Sequence, residues 1–299
     1  AADAPVALVS AAPGTAWELD VDAGARQELR HAAVADSDAR AGAEITVING
    51  RDDGGNDNWR FLDVPPGRQI IWTGAAGSRW SDRRNWNLDR TPLPEDAVSL
   101  PAGCPRYPVL DAAVELNRLE VAAGASLGLA GFDLAVTNNL TVAGRLAASG
   151  GERLTLAGDA SFGAGTFDAA WSEVVFTGSA AQTAACGGNR FGNVRVAKSG
   201  GSLRVLGGLT AAEWRAAAAA GAPAVALSFA AGETVALQRL LLAGDTASPN
   251  ILLGSTSPGT AWNLRLTGYR SVSGVSVSDS DAAAGLAVLA ADSVDGGNN

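Results

Sequence analysis

The chain has 299 residues, 37 of them glycine, and a net charge of −9 from 22 basic and 31 acidic residues. That balance excludes nucleic acid as a partner, because phosphates need a basic surface, and it disfavours docking on an anionic membrane. No Met is present and the chain opens AADAP, which predicts a processed product or an excised segment, with no signal peptide visible.

In chain order, the first predicted elements are short strands in VALVS (6–10), APGTAWELDV (12–21), DSDARAG (36–42) and DDGGNDNWRF (52–61). Each is punctuated by Gly, Asn or Asp, the residues that turn a chain tightly. Asn49-Gly50 is the best hairpin signal. A second segment, IIWTGAAGSRWSDRRNWNLDRTPLPEDAVSLPAG (70–103), breaks the pattern with Trp72, Trp80 and Trp86 amid Arg, Asp and Pro. It reads as an excursion that covers an end or a side. Its tryptophans either pack beneath the loop and stack on Arg79 and Arg83, or form an aromatic platform for a glycan.

A long Gly-punctuated body follows, with apolar alternation in VELNRLEV (114–121), NLTVAG (139–144), RLTLAG (153–158) and SLRVLGG (202–208). Period-two alternation in stretches this short predicts strands with one face inward. AAEWRAAAAAG (211–221) favours a helix on propensity, but in this setting it reads as another strand-bearing repeat with small inward residues. The longest uncharged run, Ala216–Gly232, is broken by Gly221 and Pro223 and is too weakly apolar to cross a membrane.

The last segment repeats the first. SPGTAWNLRL (257–266) matches APGTAWELDV, with Trp262 on Trp17 and Leu264 on Leu19. DSDAAAG (279–285) matches DSDARAG, ILLGS (251–255) matches VALVS, and DGGN at 295–298 matches DGGN at 53–56. The expected organisation is therefore a partial module at 1–61, a Trp-rich connector at 62–103, a body at 104–244 and a second copy of the closing segment at 245–299. The fold class expected is all-β: a right-handed parallel β-helix, or β-solenoid, with a Trp-rich connector loop. A β-sandwich pair and a jelly roll are the alternatives. Stacked repeats place Cys104 and Cys186 too far apart for a disulfide, so two separate thiols are expected. Neither sits in a CxxC pair.

The spacing of Trp72, Trp80 and Trp86, followed by Pro94, Asp96, Val98, Leu100 and Pro101, resembles repeats in large bacterial surface and secreted proteins. The order PGTAW-x-L, V-x-DSDA-x-x-G, DGGN-x-NW-x-F is similar to the closing module of such β-solenoid proteins. The resemblance implies an extracellular, adhesin-type protein built as a tandem array. It brings no catalytic residues.

The candidate chemistry is acidic. Asp36, Asp38, Asp52 and Asp53 recur as Asp279, Asp281 and Asp295. Such oxygen-rich corners either hold Ca²⁺ or satisfy turn backbone groups; otherwise no cofactor is expected. The single His, His31, aligns with Gly274 of the other copy and reads as an exposed turn residue. The single Lys, Lys198, reads as a solvated turn residue. No nucleophile–base set or phosphate loop is present, so an enzyme is not expected. The expected function is a structural unit of an extracellular fibre or surface array, secreted or at the cell surface, without membrane insertion. Its partner would be a second copy or a covalent tandem neighbour, met through uncapped ends at Val6, Leu8, Trp17, Asp295, Asn298 and Asn299. A surface adhesin that binds glycan is the alternative.

Overall fold

The period-two stretches form short strands, and the named strand pairs run parallel. The computed structural model describes residues 6–299 except 23, 24, 26, 28 and 66, so the opening AADAP lies outside the described residues. Helix is confined, among the described residues, to one 3-10 turn at Arg83–Asn85. The contacts divide the chain into Ala1–Arg68 and Gln69–Asn299.

The first unit stacks three sets of strands. Val6–Leu8, Ala32–Val34 and Arg51–Asp52 form one set. Leu29–Arg30, Ile45–Ile48 and Trp59–Leu62 form another, and Trp17–Glu18 pairs with Ser37–Asp38. Ala32, Val34 and Val47 are its buried centre, with Leu8, Trp17, Leu29, Trp59 and Phe61 packed against them.

The second unit carries two long parallel sheets of 11 strands on their main paths, and a third of 3 strands. One long sheet runs from Gln69–Ile71 through Ala97–Leu100, Arg118–Val121 and Leu140–Val142 to Val294–Asp295. Successive strands place like on like: Leu119 faces Leu140, and Val121 faces Val142. Thr137 and Thr177 each donate a hydroxyl to the carbonyl 21 residues earlier, at Leu116 and Leu156. At these positions one rung therefore follows the next after 21 residues. Alternate residues of each strand point inward and build one continuous core from Ile70 to Val275. Burying a single Leu there contributes about 1.5–3 kcal/mol. Adjacent rungs approach so closely at the corners that a Cβ on Gly158 would lie 2.0 Å from the Asn138 carbonyl oxygen.

Several expectations meet the structure here. The Ala-rich stretch forms a strand, Leu209–Ala217, because the ladders of Arg190–Val196 and Thr234–Ala243 flank it. There Trp214 packs on Phe229 with ring centroids 5.6 Å apart. Tertiary pairing outweighs Ala propensity. Asn49-Gly50 is not a hairpin. Asn49 takes φ 52° at a corner between parallel strands and exchanges side-chain hydrogen bonds with Val64. The contacts divide the chain at 68/69, and Ile70, Trp72, Trp80 and Trp86 belong to the second unit's core. Cys104 and Cys186 are separate free thiols, and burial pushes the Cys186 thiol up to about 12.

Candidate functional site: the aspartate corners and the end of the second unit

The repeated aspartates sit at corners, and each is engaged locally. Asp52 Oδ1 accepts from Gly54 N at 2.9 Å and Asn56 Nδ2 at 2.6 Å. Asp295 Oδ1 accepts from Gly297 N at 2.8 Å and Asn299 Nδ2 at 2.7 Å. Asp36 accepts from Gly14 N, and Asp279 from Gly259 N and Asn298 Nδ2. Asp281 accepts from Ala283 N. Hydrogen bonds from the Arg40 guanidinium and backbone hold Asp38 at about 2, and Arg51 holds the Asp53 carboxyl below its usual range. These are side-chain-to-backbone turns. Among the described residues no group of three or more His, Cys, Asp or Glu side chains is placed to hold a metal ion, so the calcium expectation finds no donor cluster.

The hydrogen bonds also correct the alignment of the two copies. Asn56 Nδ2 donates to Val34 O and its Oδ1 accepts from Ser37 N. Asn299 Nδ2 donates to Val277 O and its Oδ1 accepts from Ser280 N. Gly54 and Gly55 take φ 97° and 69°, as Gly297 and Asn298 take 92° and 59°. Asp52 thus corresponds to Asp295 and Asn56 to Asn299, one residue away from the pairing that matches DGGN to DGGN. His31 is exposed at φ 52°, where the other copy has Gly274 at φ 63°.

The tryptophan platform is overturned. Trp72, Trp80 and Trp86 are at most 4% exposed and pack edge-on, with centroids 4.9 and 4.7 Å apart. The indole N–H of Trp72 donates to Arg106 O, and that of Trp86 donates to Trp80 O. Asn85, fully buried, fastens the segment. Its Oδ1 accepts from Ala76 N and Gly77 N, and its Nδ2 donates to Arg79 O. The buried Arg90–Asp96 pair is bidentate, and Asp96 also accepts from Leu93 N. The Asn-Trp pair and Asp96 were visible in the sequence, but only as punctuation around the tryptophans. The aromatic rings that do face solvent include Trp171, 74% exposed, and Tyr269, 60%.

Two further buried groups were misread or missed. Lys198 is buried, not solvated. Its ammonium donates to Ala180 O, Thr177 O and Gln182 Oε1, and burial lowers its pKa. Glu152 is wholly buried. Burial alone would raise its pKa, but hydrogen bonds from Ser149, Gly131 and the local backbone hold it at about 2. The signal for it was the Ser-Gly-Gly turn immediately before the carboxylate.

The residues expected at the ends differ in exposure. Val6 is 67% exposed, while Leu8 and Trp17 are half-buried. Asp295, Asn298 and Asn299 are exposed. At the last rungs of the second unit the core opens into an apolar cavity of about 760 Å³, lined by Leu253, Trp262, Val272, Val288, Ala290 and Val294 among others. Trp262 stacks on Phe229, and its buried indole N–H finds no acceptor. Leu289 and Val294 nearby are 86% and 51% exposed. No protein-family model matches the chain, and no curated protein or solved structure does either.

Proposed function

We propose that this protein is a non-enzymatic structural unit of an extracellular bacterial fibre or surface array, a right-handed parallel β-helix that extends by head-to-tail contact. The observation that carries this reading is the stack of two long parallel ladders, of 11 strands on their main paths, over one continuous core from Ile70 to Val275. A sheet edge and an exposed core both gain by adding another rung. A contact between two different surfaces propagates into a filament unless rotation closes it. The acidic surface and the paired aspartate corners suit a scaffold: they keep the unit soluble and shape its turns. The adhesin alternative loses its main support with the burial of Trp72, Trp80 and Trp86.

The test is negative-stain electron microscopy of the purified chain over a concentration series. Filaments that lengthen with concentration support the proposal. Single units at every concentration would overturn it.

A further inference from the structure

The two copies of the repeated segment keep their inward residues and change their outward ones. Trp17 and Leu19 recur as Trp262 and Leu264, whereas Glu18, Asp20 and Asp22 recur as Asn263, Arg265 and Thr267. In the first unit these three carboxylates alternate with half-buried Trp17, Leu19 and Val21 and are themselves exposed. Leu19 N donates to Asp38 O and Ala43 N to Val21 O, which holds the row extended. Glu18 faces Asp38 on the neighbouring rung, and Asp38 faces Asp57 on the next. Like charges directly opposite each other destabilise a ladder. Arg40 answers them in part, reaching Asp38 at 2.5 Å and Asp57 at 3.6 Å. Glu18, Asp20 and Asp22 pair with no cation among the described residues.

The second unit carries an outward face of the opposite sign. Arg153, Glu173, Asn193, Glu213 and Arg239 stand in register on successive rungs of one long sheet. Beside them Arg195 faces Arg215, and Arg215 faces Leu241. Glu173 meets Arg153 at 3.2 Å and also pairs with Arg215. Glu213 meets Arg239 at 3.3 Å and Arg215 at 3.9 Å. Three arginines therefore share two carboxylates, while exposed Arg195 has no partner among the described residues. The Nε of Arg215 is buried without a hydrogen-bond acceptor. A trough of about 380 Å³ runs beside Arg195 and Arg215, lined also by Ala217, Leu241, Ala243 and Ser271. A basic face on a chain of net charge −9 selects an acidic partner.

We infer that this arginine face is the docking surface for the acidic row on the first unit of a second copy, with Glu18, Asp20 and Asp22 set against Arg195, Arg215 and Arg239. Each surface supplies the charge that the other lacks. The carboxylates of the row already point to solvent, so the first unit presents them without unfolding. The two faces are different surfaces of one molecule, so the contact is heterologous and repeats from copy to copy. Exposed ion pairs are individually weak and are screened by salt. The contact therefore sets orientation and encounter rate more than affinity. The inference rests on the proposed structural role and deepens it by naming the surfaces through which copies meet.

The test is sedimentation velocity of the full chain over a concentration series. Concentration-dependent association is expected at about 0.01 M salt and should weaken about tenfold at about 0.15 M, as the screening length falls from about 30 Å to about 8 Å. Two variants reverse the two faces: Asp20→Lys with Asp22→Lys, and Arg195→Glu. Each alone should weaken association about tenfold, the equivalent of about 1.4 kcal/mol. Each should keep the wild-type melting temperature, because none of the three residues has a partner to lose. Mixed one to one, the variants should associate as the wild type does, since each face again meets its opposite. Chains that stay single at low salt, association that neither variant weakens, or a loss that mixing does not restore overturns the inference. Binding of hexaglutamate by chains that stay single gives the face to another acidic partner and overturns it as well. Filaments that persist in both variants would sink this inference and spare the proposed function. Pairing that the variants abolish and mixing restores, without filaments, would do the reverse.

Discussion

The second unit buries a polar knot and three tryptophans at its first rungs, whereas its last described rungs border an apolar cavity. At its start, Ile70 and the three tryptophans are buried, Asn85 gathers the loop backbone, and Arg90–Asp96 neutralises the only buried guanidinium among the described residues. At its finish, the same ladders run out beside an apolar cavity, with Leu289 and Val294 in solvent. The contrast shows what a stacked sheet needs at an end: something must cover the last inward-facing residues. At the first rungs a buried polar knot does this.

The largest test of the first rungs is Asp96→Ala. It strands a buried guanidinium and removes the acceptor of Leu93 N, so it should cost about 3–5 kcal/mol in denaturant unfolding of the full chain. A cost below about 1 kcal/mol would mean that the pair does not hold the end. Next comes the interior between the two ends. Leu140→Ala, at a position 1% exposed, should cost about 2–5 kcal/mol. Ala290→Val at the last rungs should cost nothing measurable and restores the residue type at Val47. Equal costs at the two positions would erase the difference between central and last rungs.

A smaller effect follows pH. Glu152 lies between the two ends, with its carboxyl held at about 2 against an ordinary 4.5. A group whose pKa is depressed on folding contributes its full stability above the unfolded value and loses it as the pH falls toward the folded one. Stability should therefore decline from about pH 4.5 to about pH 2, by about 1–2 kcal/mol from this group after discounting for screening. Glu152→Gln should flatten that decline in melting curves taken across the range. An unchanged profile in the variant would assign the loss to other carboxylates.

The smallest effect compares the two copies directly. Asp36→Ala and Asp279→Ala, at corner residues with φ 52° and 51°, remove the acceptors of the Gly14 and Gly259 amides, and each should cost about 1 kcal/mol. Costs that differ by more than about 1 kcal/mol would show that the corners, and not only their surroundings, differ between the copies.

The sequence made the stacked architecture legible because period-two apolar residues alternate with Gly and Asn corners along the body, and such corners have few other uses. It made the repeat legible because three motifs recur in order. The register at the last of them was not legible. Identity favours DGGN on DGGN, whereas the corner is defined by which Asp receives the Gly amide and which Asn reaches back to the previous rung. Those are contacts between rungs, which no local string records. The same limit explains Lys198: VAKSGG looks solvated until the carbonyls of Thr177 and Ala180 converge on its ammonium. The tryptophan cluster was ambiguous for a related reason, since an aromatic ring serves a core and a ligand equally well. Here Asn85 and the Arg90–Asp96 pair decide for the core.

Amide hydrogen exchange on the full chain tests the contrast between first and last rungs most directly. The account predicts strong protection from Ile70 through Leu242. It also predicts weak protection across 286–299. Protection of 286–299 equal to that of the central rungs would contradict it.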